Sequence, residues 1–329
     1  MSTFWTGKNV LVTGAGGFIG SHLAERLVAE GANVRAFIHY NSAGDRGWLS
    51  RSSLEDSIEF FNGDICDRDS CVEATAGSEY VFHLAALIAI PYSYQAPESY
   101  VRTNIGGTLN LLQASRQSAV KRFLHTSTSE VYGTARQIPI TEQHPLQGQS
   151  PYSASKIGAD KIVESFHLSF NLPVTVVRPF NTFGPRQSAR AVIPTIITQL
   201  LAGTPVKLGS RTPTRDLNFV SNTVDGYLKT AKSDQAIGET INFGSGREIS
   251  IGDLALLIGK VMGIEPEIVT DDIRLRPENS EVQRLLASND LAKSLLGWEP
   301  RVSLEEGLEM TVEWLRNHLD MYRPDTFAV

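Results

Sequence analysis

A glycine-rich turn between a buried strand and a helix is the feature that most limits how this chain can fold. The apolar run Asn9–Thr13 leads into the turn, and a helical pattern of apolar residues follows it as far as Glu30. Glycines at positions 14, 17 and 20 let backbone N–H groups approach a ligand closely, and the start of a helix attracts an anion. The segment therefore predicts a site for the pyrophosphate of a dinucleotide.

Strand and helix patterns alternate through the first half of the chain, and each predicted strand ends in small or polar residues. After the first strand, the predicted strands are residues 34–38, 58–61, 80–84, 122–126 and 174–178. This alternation predicts an α/β fold with a doubly wound parallel sheet of the Rossmann type, which binds ligands at the carboxyl ends of its strands. After Pro179, prolines and glycines break the chain into shorter elements, so we expect a smaller mixed α/β C-terminal domain.

The composition and charge argue against several classes of protein. A net charge of −6 offers no basic surface for nucleic acid, so no nucleic-acid partner is predicted. The two cysteines, Cys66 and Cys71, give no disulfide framework and fit a reducing cytoplasm. Residues 1–8 lack the pattern of a signal peptide, and the most apolar stretch, residues 81–90, is too short to cross a bilayer. We therefore expect a cytoplasmic protein without a membrane partner, and no metal site is predicted.

A tyrosine and a lysine four residues apart indicate redox chemistry on a hydroxyl group. Tyr152 and Lys156 share one face of a predicted helix, so both side chains can reach the same cleft. The lysine charge is expected to lower the pKa of the phenol and make it a usable base. A bound nicotinamide would then take the hydride while Tyr152 takes the hydroxyl proton.

The choice between NAD and NADP stays open at this point. A carboxylate at the end of the second strand would bind the ribose hydroxyls of NAD, but Tyr40, Asn41 and Ser42 stand there. Asn41 and Ser42, with Arg46 nearby, would instead meet the 2′-phosphate of NADP. Asp64, at the end of the third strand, is either an acceptor for the adenine amine or a capping residue of its own loop.

Together these residues resemble the extended short-chain dehydrogenase/reductase superfamily, in its nucleotide-sugar epimerase and dehydratase branch. The resemblance covers nearly the whole chain and includes His83–Ala86, Asn104, Arg178–Pro179 and Asn181–Arg186. It implies a tightly bound NAD or NADP that the reaction recycles. The cofactor-binding residues that it implies are Gly14, Gly16, Gly17, Phe18, Ile19, Gly20, Tyr40, Asn41, Ser42, Asp64, Ile65, Leu84, Ala85, Ala86, Asn104, Thr126, Tyr152 and Lys156.

The segment Thr128-Ser129-Glu130 narrows the reaction that the resemblance implies. In this family the threonine assists Tyr152 at the C4 hydroxyl of the sugar, and a glutamate at the place of Glu130 removes the C5 proton. Loss of the C6 hydroxyl and re-reduction at C6 then yield a 4-keto-6-deoxy sugar. The implied catalytic residues are Thr128, Ser129, Glu130, Tyr152 and Lys156.

Two other reactions of the same branch remain alternatives. A 4-epimerase needs only ketone formation and rotation of the sugar, and typically lacks a carboxylate at the position of Glu130. UDP-glucuronate decarboxylases also carry Thr-Ser-Glu, but an arginine-containing segment precedes their tyrosine, and residues 147–151 here contain no arginine. Ser129 replaces the aspartate of the thymidine-diphosphate-glucose dehydratases; it matches the GDP-mannose 4,6-dehydratases, so serine does not exclude dehydration.

A closer resemblance is to the N-acetylglucosamine 4,6-dehydratases of the legionaminic-acid pathway. Residues 127–135, 144–156 and 276–282 carry much of it. Members of that group are described on UDP- or GDP-linked substrates. The nucleoside diphosphate of the substrate therefore stays open.

Four positions are implied to bind the nucleotide sugar. They are Asn181, Arg186, Arg215 and Arg276. Guanidinium groups suit a diphosphate because they donate two aligned hydrogen bonds. A salt bridge to a neighbouring carboxylate, Asp216 or Glu278, is the alternative role of Arg215 and Arg276.

The strand and helix patterns and the family resemblance also predict the domains and the assembly of the protein. Residues 1–179 plus 216–245 are predicted to form the NAD(P)-binding Rossmann domain, because a helix and a strand after residue 216 would return to the sheet. Residues 180–215 plus 246–329 are predicted to form the nucleotide-sugar-binding domain. The resemblance implies a homodimer that pairs through the helices near residues 98–118 and 152–170.

Overall fold

The computed structural model describes residues 3–322, so the outer ends of both predicted domains, residues 1 and 329, lie outside it. Its strands are β1 (Asn9–Thr13), β2 (Asn33–His39), β3 (Ile58–Gly63), β4 (Tyr80–His83), β5 (Arg122–Thr126), β6 (Val174–Pro179), β7 (Asn181–Phe183), β8 (Val206–Leu208), β9 (Thr214–Phe219), β10 (Thr240–Phe243), β11 (Glu248–Ser250) and β12 (Ile268–Thr270). Seven of them form one parallel sheet in the order β10-β6-β5-β4-β1-β2-β3. This order confirms the predicted doubly wound α/β fold.

The helices are divided between the two faces of the large sheet and the smaller C-terminal part. They are α1 (Phe18–Ala29), α2 (Arg68–Thr75), α3 (Ile90–Gln95), α4 (Pro97–Tyr100), α5 (Thr108–Gln117), α6 (Pro151–Phe170), α7 (Val192–Leu201), α8 (Val220–Lys232), α9 (Ile251–Met262), α10 (Asp290–Leu296) and α11 (Leu304–Arg316). Side chains of β1 alternate between the two faces, as the period of a strand requires. Val10 and Val12 pack in the core with α1 and α8, whereas Leu11 packs with α2, α5 and α6.

The smaller C-terminal part is built on short strands. β11, β9 and β7 form one sheet, β12 pairs with β8, and α7, α9 and α11 pack in the same core. Further along the chain, α8 packs in the core on one face of the large sheet, and β10 pairs with β6. The predicted domain boundary at residue 216 lies inside β9, which pairs with β7 and β11 of the small sheet, so the chain returns to the large sheet at α8.

The two parts meet at the carboxyl edge of the large sheet. The order of its strands reverses at β1, between β4 on one side and β2 on the other, and ligands of such sheets bind where the order reverses. The glycine turn follows β1 at this edge. Within residues 3–322, no helix is long and apolar enough to cross a membrane.

Candidate active site

A cleft of about 1450 Å³ runs from the glycine turn, past the ends of β4 and β5, to the small domain. Gly14–Gly20 line one end, Thr126–Glu130 and Tyr152 line the middle, and Arg215 and Arg276 line the far end. The cleft therefore brings together residues from the predicted cofactor, catalytic and substrate groups, although several of the predicted residues, Lys156 among them, do not line it. Its volume is large for a small-molecule site and suits two elongated ligands placed end to end.

The glycine turn has no space for side chains. Gly14 has a φ of 68°, and a Cβ there would lie 2.8 Å from the backbone nitrogen of Ala85. A Cβ on Gly16 would lie 2.6 Å from the carbonyl oxygen of Arg46, and one on Gly20 would collide with the carbonyl of Gly14. Because α1 begins at Phe18, its first N–H groups lie directly beside this narrow space. The turn fits the pyrophosphate of a dinucleotide.

The loop after β2 corrects part of the prediction. Tyr40, Asn41 and Ser42 do not line the cleft; Tyr40 is 66% exposed, and the Asn41 amide donates to the Asp45 carbonyl and accepts from the Asp45 N–H. The Asn41 side chain therefore stabilises the loop itself. Arg46 does not line the cleft either; its side chain contacts a residue of β3 and one in the turn before that strand.

Arg46 is the cation that would have to meet a 2′-phosphate. Its guanidinium lies 4.1 Å from the centroid of the Phe60 ring and donates to Glu55 at 2.6 Å. The backbone of the same loop does reach the glycine turn, since the Trp48 N–H donates to the Gly16 carbonyl. The loop therefore approaches the cofactor end of the cleft with its backbone rather than with a free positive charge.

The remaining cofactor residues line the cleft or support it. Asp64, Ile65 and Leu84–Ala86 line it, and one Asp64 oxygen accepts from the N–H of Cys66. Asn104 lies in a π-helical segment, Val101–Gly107, between α4 and α5. Its side chain accepts from the Leu87 N–H and donates to the Leu87 carbonyl, so Asn104 shapes the loop after β4 and does not itself line the cleft.

Tyr152 and Lys156 sit in the first two turns of α6. Ser150 caps this helix, which fixes where the first turn begins. Burial raises the pKa of the Tyr152 phenol, and a hydrogen bond with Thr128 lowers it. The Lys156 amine donates to the Thr126 carbonyl at 2.7 Å, and burial lowers its pKa to about 8. The expected lowering of the phenol pKa by the lysine is therefore not found; in this structure Thr128 is the group that favours the phenolate.

Glu130 lies at the start of a short 3₁₀ turn, residues 129–132, directly after β5. Thr128 caps this turn by accepting from the Glu130 N–H. Glu130 is 9% exposed, lines the cleft, and its charge raises the pKa of Tyr152, which places the carboxylate close to the phenol. Among residues 3–322, no hydrogen bond or ion pair engages the Glu130 side chain. Ser129 lines the same part of the cleft.

The far end of the cleft carries the predicted substrate residues. Asn181 lines it, and its side-chain oxygen is buried without a hydrogen-bond partner among the described residues. Arg215 and Arg276 also line it, and both lie near one carboxylate, Glu281, at 2.9 and 3.6 Å. The alternative partners considered above, Asp216 and Glu278, do not pair with either arginine in the described part of the chain.

Arg186 does not line the cleft, which corrects its assignment to the substrate. Its guanidinium donates to both carboxylate oxygens of Glu25 on α1, at 2.9 and 3.0 Å, and to the Ser21 hydroxyl. A bidentate pair of this kind holds two elements together. Arg186 therefore joins the segment after β7 to the helix of the glycine turn.

Several residues that line the cleft were not predicted from the sequence. The loop after β4, residues 87–92, and residues 273–275 face the cavity, as do Arg190 and Lys207. Within residues 3–322, the Arg190 side chain donates only to Ser188. Burial raises the pKa of Tyr100 and the nearby Arg190 charge opposes this rise, so Arg190 lies close to Tyr100, whose ring contacts Tyr152. No local motif marks these residues, because loops far apart in the chain bring them together.

Comparison with known proteins agrees with this geometry. The sequence model of the family described as GDP-mannose 4,6 dehydratase matches residues 11–311. The chain is 35% identical over 315 residues to a UDP-glucose 4-epimerase of Mycolicibacterium smegmatis, covering 93% of this chain and 98% of that protein. It is 34% identical over 328 residues to a dTDP-glucose 4,6-dehydratase of Streptomyces griseus, covering 96% of both.

A solved structure matches the fold over nearly the same length. The dTDP-glucose 4,6-dehydratase DesIV of Streptomyces venezuelae, solved with NAD bound, superimposes with a TM-score of 0.89 at 29% identity and covers 96% of this chain and 99% of that one. The two proteins therefore share one fold over nearly their whole length. In this chain, that fold carries the glycine turn, the Tyr152/Lys156 pair and the cleft. The chain belongs to the nucleotide-sugar epimerase and dehydratase family of extended short-chain dehydrogenases/reductases, and it is an enzyme with an NAD(P) cofactor.

Proposed function

We propose that the protein is a 4,6-dehydratase of UDP- or GDP-linked N-acetylglucosamine. The observation that carries the proposal is the Glu130 carboxylate, which lines the cleft near Tyr152 and has no side-chain partner among the described residues. A carboxylate held there can act on the carbon next to the one that Tyr152 serves. The N-acetylglucosamine substrate rests on the resemblance of residues 127–135 and 144–156, segments that include the residues at the middle of the cleft.

In the first step, Tyr152 takes the proton of the C4 hydroxyl while C4 loses a hydride. The dinucleotide, when bound, accepts this hydride and later returns it to C6. Thr128 supports the phenolate through its hydrogen bond, and the Lys156 amine is oriented by the Thr126 carbonyl. The product of this step is a 4-keto sugar, whose C5 proton is acidic because it lies next to the ketone.

In the second step, Glu130 takes the C5 proton and the C6 hydroxyl leaves. Glu130 passes this proton to the departing hydroxyl, which leaves as water, and the neighbouring Ser129 hydroxyl assists it. When the hydride returns to C6, C5 must receive one proton. The proton that Tyr152 took from the C4 hydroxyl accounts for it. The net change is the loss of one water, with no consumption of the dinucleotide.

A 4-epimerase and a UDP-glucuronate decarboxylase are the competing functions. The epimerase is favoured by the likeness to the M. smegmatis enzyme, but it leaves Glu130 without a task. The decarboxylase needs a cation for the substrate carboxylate; residues 147–151 supply none, and Arg190 is one of several basic residues that line the cleft. Both alternatives are tested with the same assay.

The purified protein is to be incubated separately with UDP-N-acetylglucosamine, GDP-N-acetylglucosamine and UDP-glucuronate, and the products analysed by mass spectrometry. We expect loss of one water from one of the two N-acetylglucosamine substrates. An unchanged mass with inversion at C4, or loss of carbon dioxide, would refute dehydration in favour of the epimerase or the decarboxylase.

A paired variant test assigns Glu130. In deuterated water, Glu130→Gln should still form the 4-keto sugar slowly but lose deuterium uptake at C5, because the amide is no base. Tyr152→Phe should lose both reactions. Undiminished deuterium at C5 in Glu130→Gln would show that another group is the base.

Between the two dinucleotides, we propose NAD. The support is that Arg46 is paired with Glu55, and that the acidic Asp64 lines the adenosine end of the cleft. The Asp64 carboxylate would repel a 2′-phosphate bound beside it. We also propose that the dinucleotide stays bound to the protein during turnover and is recovered in its oxidised form.

We also propose a homodimer through the helices near residues 98–118 and 152–170. Its support is the exposure of apolar side chains there: Val101 is 54% exposed, Leu168 75% and Phe170 44%. Large apolar side chains exposed on neighbouring helices are typical of subunit interfaces. Sedimentation equilibrium tests this, and a monomer at micromolar concentration would rule it out.

A further inference from the structure

The two halves of the catalytic site lie on different elements. Tyr152 and Lys156 project from α6, whereas Thr128, Ser129 and Glu130 belong to the turn after β5. The pair on α6 keeps its own geometry because one helix carries both residues. The distance from that pair to Glu130 depends on whatever joins the turn to the helix.

Asp160 makes one such connection. It lies on α6 one turn beyond Lys156 and is 2% exposed. Its Oδ2 accepts from the Ser127 hydroxyl at 2.8 Å, and from Nη2 and Nε of Arg178 at 2.9 and 3.2 Å. Ser127 is the residue directly before the catalytic turn, so this bond holds the start of the turn to the helix.

Arg178 extends the connection to the other end of the turn. Its Nη1 donates to the Tyr132 hydroxyl at 2.9 Å, and the guanidinium carbon lies 4.9 Å from the centroid of the Tyr132 ring. The Tyr132 hydroxyl in turn donates to Asn242 on β10 at 2.8 Å. Ser127 and Tyr132 flank Thr128–Glu130, and both are tied to Asp160, one directly and one through Arg178.

The surroundings keep Asp160 ionised. His125 Nε2 lies 3.3 Å from Oδ1, and the Lys156 ammonium is a further nearby charge. Burial alone would raise the pKa of Asp160, but the bond from His125 and the charge of Arg178 hold it below its ordinary value. Burial lowers the pKa of His125 to about 4, so the ring is neutral at neutral pH. The network is therefore one carboxylate balanced by the guanidinium of Arg178.

We propose that Asp160 is a positioning residue that holds the Thr128–Glu130 turn in place relative to Tyr152 and Lys156. The proposal rests on the dehydratase function for its chemical consequence. Loosening the turn displaces Glu130 from C5 and weakens the hydrogen bond between Thr128 and Tyr152, whereas Tyr152 and Lys156 keep their places on α6. Proton removal at C5 therefore suffers more than oxidation at C4, since a displacement of about 1 Å at a reacting group costs on the order of 10²-fold, whereas one lost hydrogen bond costs about fivefold.

The test uses variants that cut the two ties without touching a catalytic residue. They are Ser127→Ala, Tyr132→Phe and the double variant, with Asp160→Asn as the variant that weakens both ties at once. The matched control is Ser115→Ala, which removes an equally buried hydroxyl that has no hydrogen-bond partner among the described residues. Thermal unfolding identifies any variant that fails to fold, and the single variants remain informative if Asp160→Asn is lost.

Two readouts separate this inference from the proposed function. Hydrogen exchange of the backbone amides at 128–133 should speed up in the double variant and not in Ser115→Ala; unchanged protection overturns the positioning role whatever the enzyme catalyses. In deuterated water, C5 exchange should fall about 10²-fold in the double variant while the 4-keto sugar, trapped by borodeuteride, forms at within about tenfold of the wild-type rate.

The remaining outcomes are also decisive. Equal losses at C4 and C5 would overturn a selective effect on Glu130. Absence of C5 exchange in the wild-type protein, together with faster amide exchange in the double variant, would refute the dehydratase function and leave the positioning role standing.

Discussion

The cofactor end and the substrate end of the cleft are built in different ways. At the cofactor end, backbone atoms form the wall: Gly14 and Gly20 approach neighbouring main chain so closely that no side chain fits. At the substrate end, charged side chains form it, and Arg215 and Arg276 share the carboxylate of Glu281. One end has a fixed shape, and the other has charges whose pairing can change.

This difference determines what each end tolerates. A wall of backbone has no alternative rotamers, so a single added carbon must displace main chain. Paired side chains can exchange one partner for another, because a diphosphate offers an arginine the same two acceptors as a carboxylate. We therefore expect substitutions at the cofactor end to act on folding and cofactor together, and substitutions at the substrate end to act mainly on affinity.

The largest effect is expected for Gly14→Ala, compared with Gly77→Ala. Both glycines have positive φ, 68° and 76°, but a Cβ meets the backbone of Ala85 at position 14 and open space at position 77. Each variant should lose about 1–2 kcal/mol of unfolding free energy from backbone strain. Gly14→Ala should lose about 1–3 kcal/mol more from overpacking, and its bound dinucleotide as well.

Denaturant unfolding and the dinucleotide content of the purified proteins measure these effects. Equal losses in the two variants, with the dinucleotide retained in both, would show that the wall at Gly14 yields. The distinction between a rigid cofactor end and an adaptable substrate end of the cleft would then be wrong.

The same difference explains how far the sequence predicts the molecule. Gly14, Gly17 and Gly20 are spaced by local backbone geometry, and the alternation of strands and helices fixes the sheet, so both follow from local patterns. The pairing of Arg215 with Glu281 does not, because the two residues are far apart in sequence and several carboxylates compete for each arginine. Arg186 is an example: it was predicted to bind the substrate, but in the structure it pairs with Glu25.

Asp160 is predictable from the sequence only in part. Its place on α6, one turn after Lys156, follows from the period of the helix. Its partner Ser127 directly follows β5 and its partner Arg178 lies in β6, and only the order of strands in the sheet brings them beside that helix face. Local periodicity thus identifies the residue as buried, and the fold identifies what it holds.

At the substrate end, Glu281→Gln should tighten the binding of UDP or GDP by about tenfold. The neutral amide releases Arg215 and Arg276 and removes a negative charge near the diphosphate; one charge-assisted hydrogen bond is worth about 1.5 kcal/mol. The free protein should unfold more easily, because Arg215 is left buried without a counter-charge. Calorimetric titration measures the affinity.

Glu278→Gln is the matched control for this substitution. Glu278 is exposed and has no ion pair among residues 3–322, so its neutralisation changes the net charge alone. Equal gains in the two variants would assign the effect to general charge rather than to the released arginines. Weaker binding in Glu281→Gln would mean that the carboxylate instead holds the arginines ready for the substrate.

The smallest effect is expected at the edge of the cofactor end, where a side-chain pair borders the backbone wall. Glu55→Gln should raise the affinity for NADP relative to NAD by at most about fivefold, because the Arg46–Glu55 pair is partly exposed and worth about 0–1 kcal/mol. Glu59→Gln is the control, since it breaks a similar exposed pair with Arg35 away from the cleft. Titration of the protein, freed of bound dinucleotide, with NAD and NADP gives the ratio. A ratio that changes equally in both variants, or in neither, would show that Arg46 has no part in the choice, and that the fixed backbone alone selects the dinucleotide.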